Sequence, residues 1–309
     1  MANDSNSNAS FKCFLLTTEY IQTLEVFRLT SHRFRLSTFL SSVILIPFII
    51  IGNGLVLGVI LRRPSLRTTS NFLISCLSVA DFLNGLVFLP LFSAWTISDS
   101  ALHSCPFHGL LSCVGWLINS VSFGTMVAVS VERYIALFYH LKYPVIVSKK
   151  RIQKVIFVLW LVAAVFSCLS LFHFFNFIRF PIIGFIFAMG LVIIIFTYTR
   201  IFALVRRHHR SIRAQETTNT TKYRQRKLAV TMAYVIATSA ICYFPFGCAL
   251  FVVLIRGFTI KSFHIFHLSK LLFCISSLIN PLIYCLRNKE LRTAVISLLR
   301  DIYRAIIQL

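Results

Sequence analysis

The chain has 309 residues, 57% of them hydrophobic, 14% aromatic and 13% charged, with a mean hydropathy of +0.81. Soluble globular domains are about 25% charged, so this composition excludes one and marks a protein that lives in a bilayer. The formal net charge of +22 would suit a nucleic-acid binder, but the placement of the bases excludes that reading.

Apolar stretches of about 20 residues, each long enough to cross the hydrocarbon, recur with short polar gaps, so the spans form one bundle. Basic residues fall in every second gap: Arg62, Arg63 and Arg67; Lys142, Lys149, Lys150 and Arg151; the crowd from Arg206 to Lys227; and Arg287, Lys289, Arg292, Arg300 and Arg304 after the last span. Clusters on one side make that side cytoplasmic. The excess base is then a topology signal and a surface for anionic membrane lipids or an acidic partner, with no nucleic acid involved.

Residues 1–36 read as an extracellular N-terminus. They carry the sequons Asn3-Asp4-Ser5 and Asn8-Ala9-Ser10, so Asn3 and Asn8 are expected to be glycosylated. The segment lacks the layout of a cleaved signal peptide, which leaves the first span as the export signal. A third sequon at Asn219 falls in the basic cytoplasmic loop and should stay unmodified. Seven spans follow within 37–286: about Ser37 to Leu61, Asn71 to Trp95, Cys105 to Tyr139, Ile152 to Phe172, Phe180 to Val205, Tyr223 to Ile255, and Ser262 to Leu286.

Several residues in these spans are out of place in lipid. Asn53 in span one needs an interhelical partner. Asp81 in span two is the one acid well inside the apolar spans, which makes it a functional candidate. At the inner end of span three Glu132 and Arg133 are adjacent, either a working charge pair or a headgroup-level pair that ends the helix. Pro245 removes a backbone bond from span six and bends it. The link from span four to span five is very short, at most His173 to Arg179, and has no cysteine.

Nine cysteines show no metal-ligand spacing. Seven lie in the spans as small buried hydrophobes. Cys13 and Cys105 face an oxidising compartment, where they either pair or remain apart. In residues 287–309, Leu291, Val295, Leu298, Leu299, Ile302 and Ile306 recur at helical spacing opposite Lys289, Arg292, Arg300 and Arg304. That pattern predicts a short amphipathic helix on the cytoplasmic membrane surface.

The order of these marks resembles the rhodopsin-like (class A) G-protein-coupled receptors over nearly the whole chain. Asn53, Leu77 to Asp81, Glu132-Arg133-Tyr134, Trp160, Tyr198, Pro245 and Asn280-Pro281-Tyr284 fall in the seven spans in turn. The short link before span five, Gly190 within that span, and Phe138 to Tyr143 are similar to the melanocortin, adenosine and cannabinoid branch. The resemblance implies an all-α, seven-transmembrane helix bundle in the plasma membrane with its N-terminus outside. It implies a receptor for an extracellular small-molecule, lipid or peptide ligand that activates a heterotrimeric G protein.

The resemblance also implies roles. Glu132, Arg133, Tyr134, Tyr198, Pro245, Asn280, Pro281 and Tyr284 would form the activation switch, with Arg133 paired to Glu132 at rest and meeting Tyr198 when span six swings outward about Pro245. Gln225 stands where relatives often add a second acid, which implies a weaker resting lock. Asp81, Ser122, Ser276, Ser277 and Asn280 resemble the family's allosteric sodium site, all oxygen ligands suited to a hard cation; the alternative is a hydrogen-bonded cluster. No other cofactor is implied.

The expected ligand pocket holds Gly115, Asn119, Tyr243, Phe246, Lys270 and Cys274. Gly115 stands where amine receptors carry an acid, and Cys274 where opsins carry the retinal lysine. Tyr243 replaces the usual Trp. The melanocortin acids fall on Leu91, His108 and Ser112, and the adenosine-contacting residues on Leu250 and Cys274, so no ligand is carried over. Lys270 either holds an anionic ligand group or snorkels to the headgroups. His103, His108, His264 and His267 gather near the outside as proton sensors or as ordinary interfacial residues. An enzyme is not expected: there is no H-E-x-x-H, no G-x-S-x-G and no second intramembrane carboxylate. A polytopic transporter or channel is the alternative function, against which stands the lack of an internal repeat.

Overall fold

A computed structural model describes residues 13, 16–172, 176–212, 220–287 and 289–307, and among them every regular element is helical. An N-terminal helix, Thr18–Thr30, precedes span one, His32–Arg62. Span two is Thr69–Ile97, span three Cys105–Phe138 and span four Lys149–Leu171. Span five is Asn176–Ile212, span six Thr220–Arg256 and span seven Ile260–Arg287, with a C-terminal helix over Lys289–Ile307. Six helices among the described residues are long and apolar enough to cross a membrane, and Ala240–Arg256 in span six is a shorter apolar helix. Span three sits centrally, packed on spans two, four, five and six. Large apolar side chains such as Phe157, Phe185 and Ile195 lie exposed on the outer faces, a belt that lipid would cover.

Side-chain oxygens set several of the starts. Thr17, Thr68, Ser104 and Ser148 each accept from a backbone N–H in the first turn of the helix that follows, satisfying a donor with no intrahelical partner. Span two carries a π turn over Asn84–Phe88, where the N–H of Leu89 bonds the carbonyl of Asn84. Pro90 follows at once; it lacks an N–H and crowds the preceding turn, and a widened turn relieves both.

The structure corrects the outer end. Span one starts at His32, not Ser37, and what reads as a polar tail contains a helix whose Leu24 and Phe27 are fully buried. Arg35 is buried too: its Nε donates to the Thr96 carbonyl at 2.8 Å and its Nη2 to Asp99 Oδ1 at 2.9 Å. Cys13 and Cys105 form a disulfide that ties the chain before the N-terminal helix to the start of span three. Glu25 bonds Arg28 Nε at 3.0 Å and His103 Nε2 at 2.8 Å. Partial burial pushes its carboxyl upward, but these two partners outweigh that and hold it below the ordinary carboxylate range. Asn3 and Asn8, and the loop sequon at Asn219, lie outside the described residues.

Pro281 fixes the meeting of spans one, two and seven. Inside a helix it cannot donate to the carbonyl four residues back, that of Ser277. Asn53 Nδ2 donates to that carbonyl at 2.9 Å and to the Ile49 carbonyl at 3.0 Å. The approach is close: a Cβ on Gly52 would stand 3.0 Å from Pro281 Cγ.

Two outcomes follow. Asn53→Leu leaves the Ser277 carbonyl buried without a donor and should lower stability by ~1–2 kcal/mol, read as an earlier thermal unfolding transition in detergent. Because the Glu25 carboxyl is held low in the folded state, its contribution is complete above the ordinary carboxylate value and is lost as pH falls through the folded value. Glu25→Gln should therefore flatten the acid-side decline of thermal stability while leaving its shape above neutrality unchanged.

Candidate functional site

At the inner end of span three, Glu132 and Arg133 are 2% and 3% exposed. Arg133 Nε donates to Glu132 Oε2 at 2.5 Å, and its Nη2 reaches both Glu132 Oε1 and Ser70 Oγ. Ser70 Oγ also lies 3.0 Å from Glu132 Oε1, and the Tyr143 hydroxyl donates to the same oxygen. Burial first, and then the Glu132 carboxylate, push the Tyr143 phenol up to about 12, so it keeps the proton it donates. A buried charge pair with this many supporting donors is a structural element and not a helix stop.

Ser70 and Tyr143 are the residues sequence reasoning misses here. Span two brings Ser70 in through its Thr68 cap, and Tyr143 comes from a single turn, Tyr143–Ile146, between spans three and four. No helical periodicity links either one to Arg133. Tyr198 in span five has its hydroxyl buried and without a hydrogen-bond partner among the described residues. Tyr134 points away, stacked on Phe138 at 4.5 Å and tilted against Phe196. Tyr284 is buried in the core. The side chain of Gln225 lies outside the described residues.

In mid-bundle the sequence set is only partly brought together. Asp81 Oδ1 accepts from Ser277 Oγ at 2.7 Å and Oδ2 from Asn280 Nδ2 at 2.8 Å. Ser276 Oγ donates to the Phe273 carbonyl, and Ser122 Oγ is buried beside Asp81 and Tyr243 with no close hydrogen bond among the described residues. Asn84 joins the cluster by donating to Ser277 Oγ at 2.9 Å. The side-chain oxygens gathered around Asp81 fit a small hard cation. The hydrogen-bonded alternative accounts for both Asp81 oxygens.

Two cavities open toward the outer half. One, about 160 Å³, lies beneath the N-terminal helix and is lined in part by Tyr20, His108, Gly115, Asn119, Phe246 and Lys270. The other, about 150 Å³, lies between spans three, four, five and six, with Asn119, Tyr243 and Phe246 in its wall. Tyr243 meets Phe273 edge-on at 4.4 Å, and Phe246 stacks on Phe266 at 5.6 Å. Of the expected pocket residues, Cys274 lines neither cavity; it sits deeper, 3.7 Å from Asn84 Oδ1. At Gly115 a Cβ would stand 2.8 Å from Phe88 Cε2, so a larger residue there requires Phe88 to move.

The outer wall is held by pairings between the N-terminal helix and the link after span six. That span ends at Gly257, whose φ of +67° is the left-handed stop that glycine favours. The turn delivers the Phe258 N–H to Glu19 Oε1 at 2.8 Å and the Phe258 carbonyl to the Thr23 hydroxyl. The Lys270 ammonium lies 4.4 Å from the Phe266 ring centroid and 5.9 Å from that of Phe92. It points into the bundle and does not snorkel to the headgroups. The histidines have structural partners: His103 on Glu25, His264 and His267 on backbone carbonyls of their own helix, and His108 on the Leu102 carbonyl.

Residues 52–179 and 173–284 match the family model of the 7 transmembrane receptor (rhodopsin family). Similar proteins include the alpha-1A adrenergic receptor of Oryzias latipes, 26% identical over 83% of this chain and 65% of that protein. The histamine H2 receptor of Rattus norvegicus is 26% identical over 84% of the chain and 77% of its own length. Melanocortin receptor 5 of Rattus norvegicus is 26% identical over 79% and 78%. The chain thus spans under two thirds of the first of these relatives and more than three quarters of the other two.

Proposed function

The chain belongs to the rhodopsin family of seven-transmembrane receptors, the class A G-protein-coupled receptors, and from that premise we propose that it relays an extracellular ligand to a heterotrimeric G protein. The N-terminus lies outside the plasma membrane and the basic gaps face the cytoplasm. The observation that carries the reading is the state of Arg133. It is buried and held by Glu132 and Ser70, with Tyr143 donating to Glu132 in turn, while the Tyr198 hydroxyl is buried near Ser130 with no close hydrogen bond among the described residues. Two arrangements of one guanidinium therefore compete, one satisfied now and one that satisfies Tyr198. Ligand bound in the outer cavities favours the second; span six swings outward about Pro245, and the opened inner face admits the G protein.

Tyr243 is the lever in this reading. It lines the cavity between spans three, four, five and six and packs on Phe123 and Phe273, two helical residues from Pro245, so a ligand against it pushes at the bend. Sodium on Asp81, Ser122, Ser277 and Asn280 would add a charge to the centre that holds the resting state, supporting span two against span seven.

The test is guanine-nucleotide exchange on purified G protein by the purified receptor. With Gln225 in place of the second acid, ligand-free exchange should exceed that of Arg133→Ala; equal rates would sink the weak resting lock. Tyr143→Phe removes one donor from Glu132, worth about 1 kcal/mol, and should raise ligand-free exchange roughly fivefold. Rising sodium chloride, against a choline chloride control, should suppress exchange by the wild type and not by Asp81→Asn; a parallel response in both rejects the cation.

A further inference from the structure

The two outer cavities share a wall, since Trp116, Asn119 and Phe246 line both. The first chamber has a cation and no acid to meet it. Lys270 is half-buried, and among the described residues no carboxylate pairs with it. The described carboxylates of the outer end are engaged elsewhere: Glu19 with the Phe258 N–H, Glu25 with Arg28 and His103, and Asp99 with Arg35. Aromatic faces lie against the ammonium, and they compensate a partly desolvated charge less well than an anion does.

The second chamber differs in kind. Its wall is almost wholly apolar, and two of its residues, Val162 of span four and Ile186 of span five, are 46% and 50% exposed on the outer surface of the bundle. It therefore reaches the lipid-facing side between those spans. Toward the water, the N-terminal helix lies over the first chamber, anchored by the Cys13–Cys105 disulfide and by the bonds of Glu19 and Thr23 to Phe258. The arrangement is a positive end beneath a cap, joined to an apolar end that opens sideways.

We propose that the receptor's ligand is an anionic amphiphile: a carboxylate or a phosphate monoester on one long hydrocarbon chain, entering from the bilayer between spans four and five. The head group pairs with Lys270 and the chain occupies the second chamber. This rests on the receptor reading for its signalling consequence but not for binding. A chain leaving lipid for an apolar chamber exchanges one apolar surrounding for another, so it gains little from burial. Selectivity falls on the head group, and hence on Lys270.

The probes are oleate, 1-oleoyl-lysophosphatidate and neutral oleyl alcohol. Each is titrated against the full-length receptor in phosphatidylcholine nanodiscs, with empty nanodiscs as background and no G protein present. At least one anion should bind saturably and about tenfold more tightly than the alcohol; which one does so assigns the head group. Lys270→Gln should weaken anion binding about tenfold and leave the alcohol unchanged, and Lys270→Arg should restore most of the loss. Val162→Trp, at the exposed mouth, should slow association several-fold.

Equal affinity for anion and alcohol in the wild type, which needs no variant, overturns the proposal, as does anion binding indifferent to Lys270→Gln or the absence of saturable binding. Association unaltered by Val162→Trp overturns the lateral route. Lys270-dependent binding that never stimulates nucleotide exchange would leave the ligand class standing and remove the receptor reading. Exchange driven by a neutral ligand alone would do the reverse.

Discussion

One carbonyl oxygen organises the bundle. Pro281 deprives Ser277 of its helical donor, and an acceptor without a donor in a medium free of water is costly. Asn53 answers it from span one, which draws spans one and seven together closely enough that a Cβ on Gly52 would press on Pro281. The same turn of span seven presents Ser277 Oγ and Asn280 Nδ2 to Asp81 in span two. Three spans are thus tied through one proline-broken turn, and movement of span seven must be felt by both others.

The inner end obeys a different rule. Taking Glu132 and Arg133 out of water is expensive, and the pair holds because Ser70 and Tyr143 supply donors around the carboxylate. Removing either charge would strand the other, so the guanidinium can exchange neighbours but cannot be left alone. Tyr198, with its hydroxyl buried and unmatched among the described residues, is a neighbour that the present arrangement leaves waiting. A buried polar group satisfied in only one of two arrangements is what makes an element two-state instead of elastic. In the relay proposed above, the central knot and the inner pair divide the work: the first transmits displacement, and the second converts it into a choice.

Groups whose cost in lipid is intrinsic are legible in the sequence. Asn53, Asp81, Arg133 and Pro245 stand out because a bilayer tolerates them only for a reason, and each has its expected surroundings or helix. What is not legible depends on where the chain returns in space. Ser70 and Tyr143 reach Glu132 from other segments with no periodic relation to it. The N-terminal helix hides because Leu24 and Phe27 make too short an apolar stripe to stand out among Glu19, Glu25 and Arg28. Arg35 resembles a flanking base until Asp99 and the Thr96 carbonyl are seen around it. Pairing of Cys13 with Cys105, open on compartment alone, needed the fold of the N-terminal helix to bring them within 5.2 Å between Cα atoms. At Ser276 the hydroxyl donates to a carbonyl of its own helix, which orients its oxygen without occupying it, an arrangement that residue type does not reveal.

Under the ligand class proposed above, a shared scaffold changes its ligand by changing the sign of the outer cavity. Where amine receptors carry an acid on span three this chain has Gly115, and the space a side chain would fill is taken by Phe88. Across the cavity stands Lys270, on span seven, with rings against it and, among the described residues, no carboxylate paired with it. A cationic ligand would meet a like charge and lose its counter-ion, and in a partly desolvated site both effects act against it. The knot at Pro281 and the inner charge pair lie away from that wall, whereas Phe246, next to Pro245, stacks on the Phe266 ring beneath Lys270. In the receptor proposed above, discrimination is set by two residues near the outer end, and span six carries the link inward, since Tyr243 and Phe246 flank Pro245 and line the cavities.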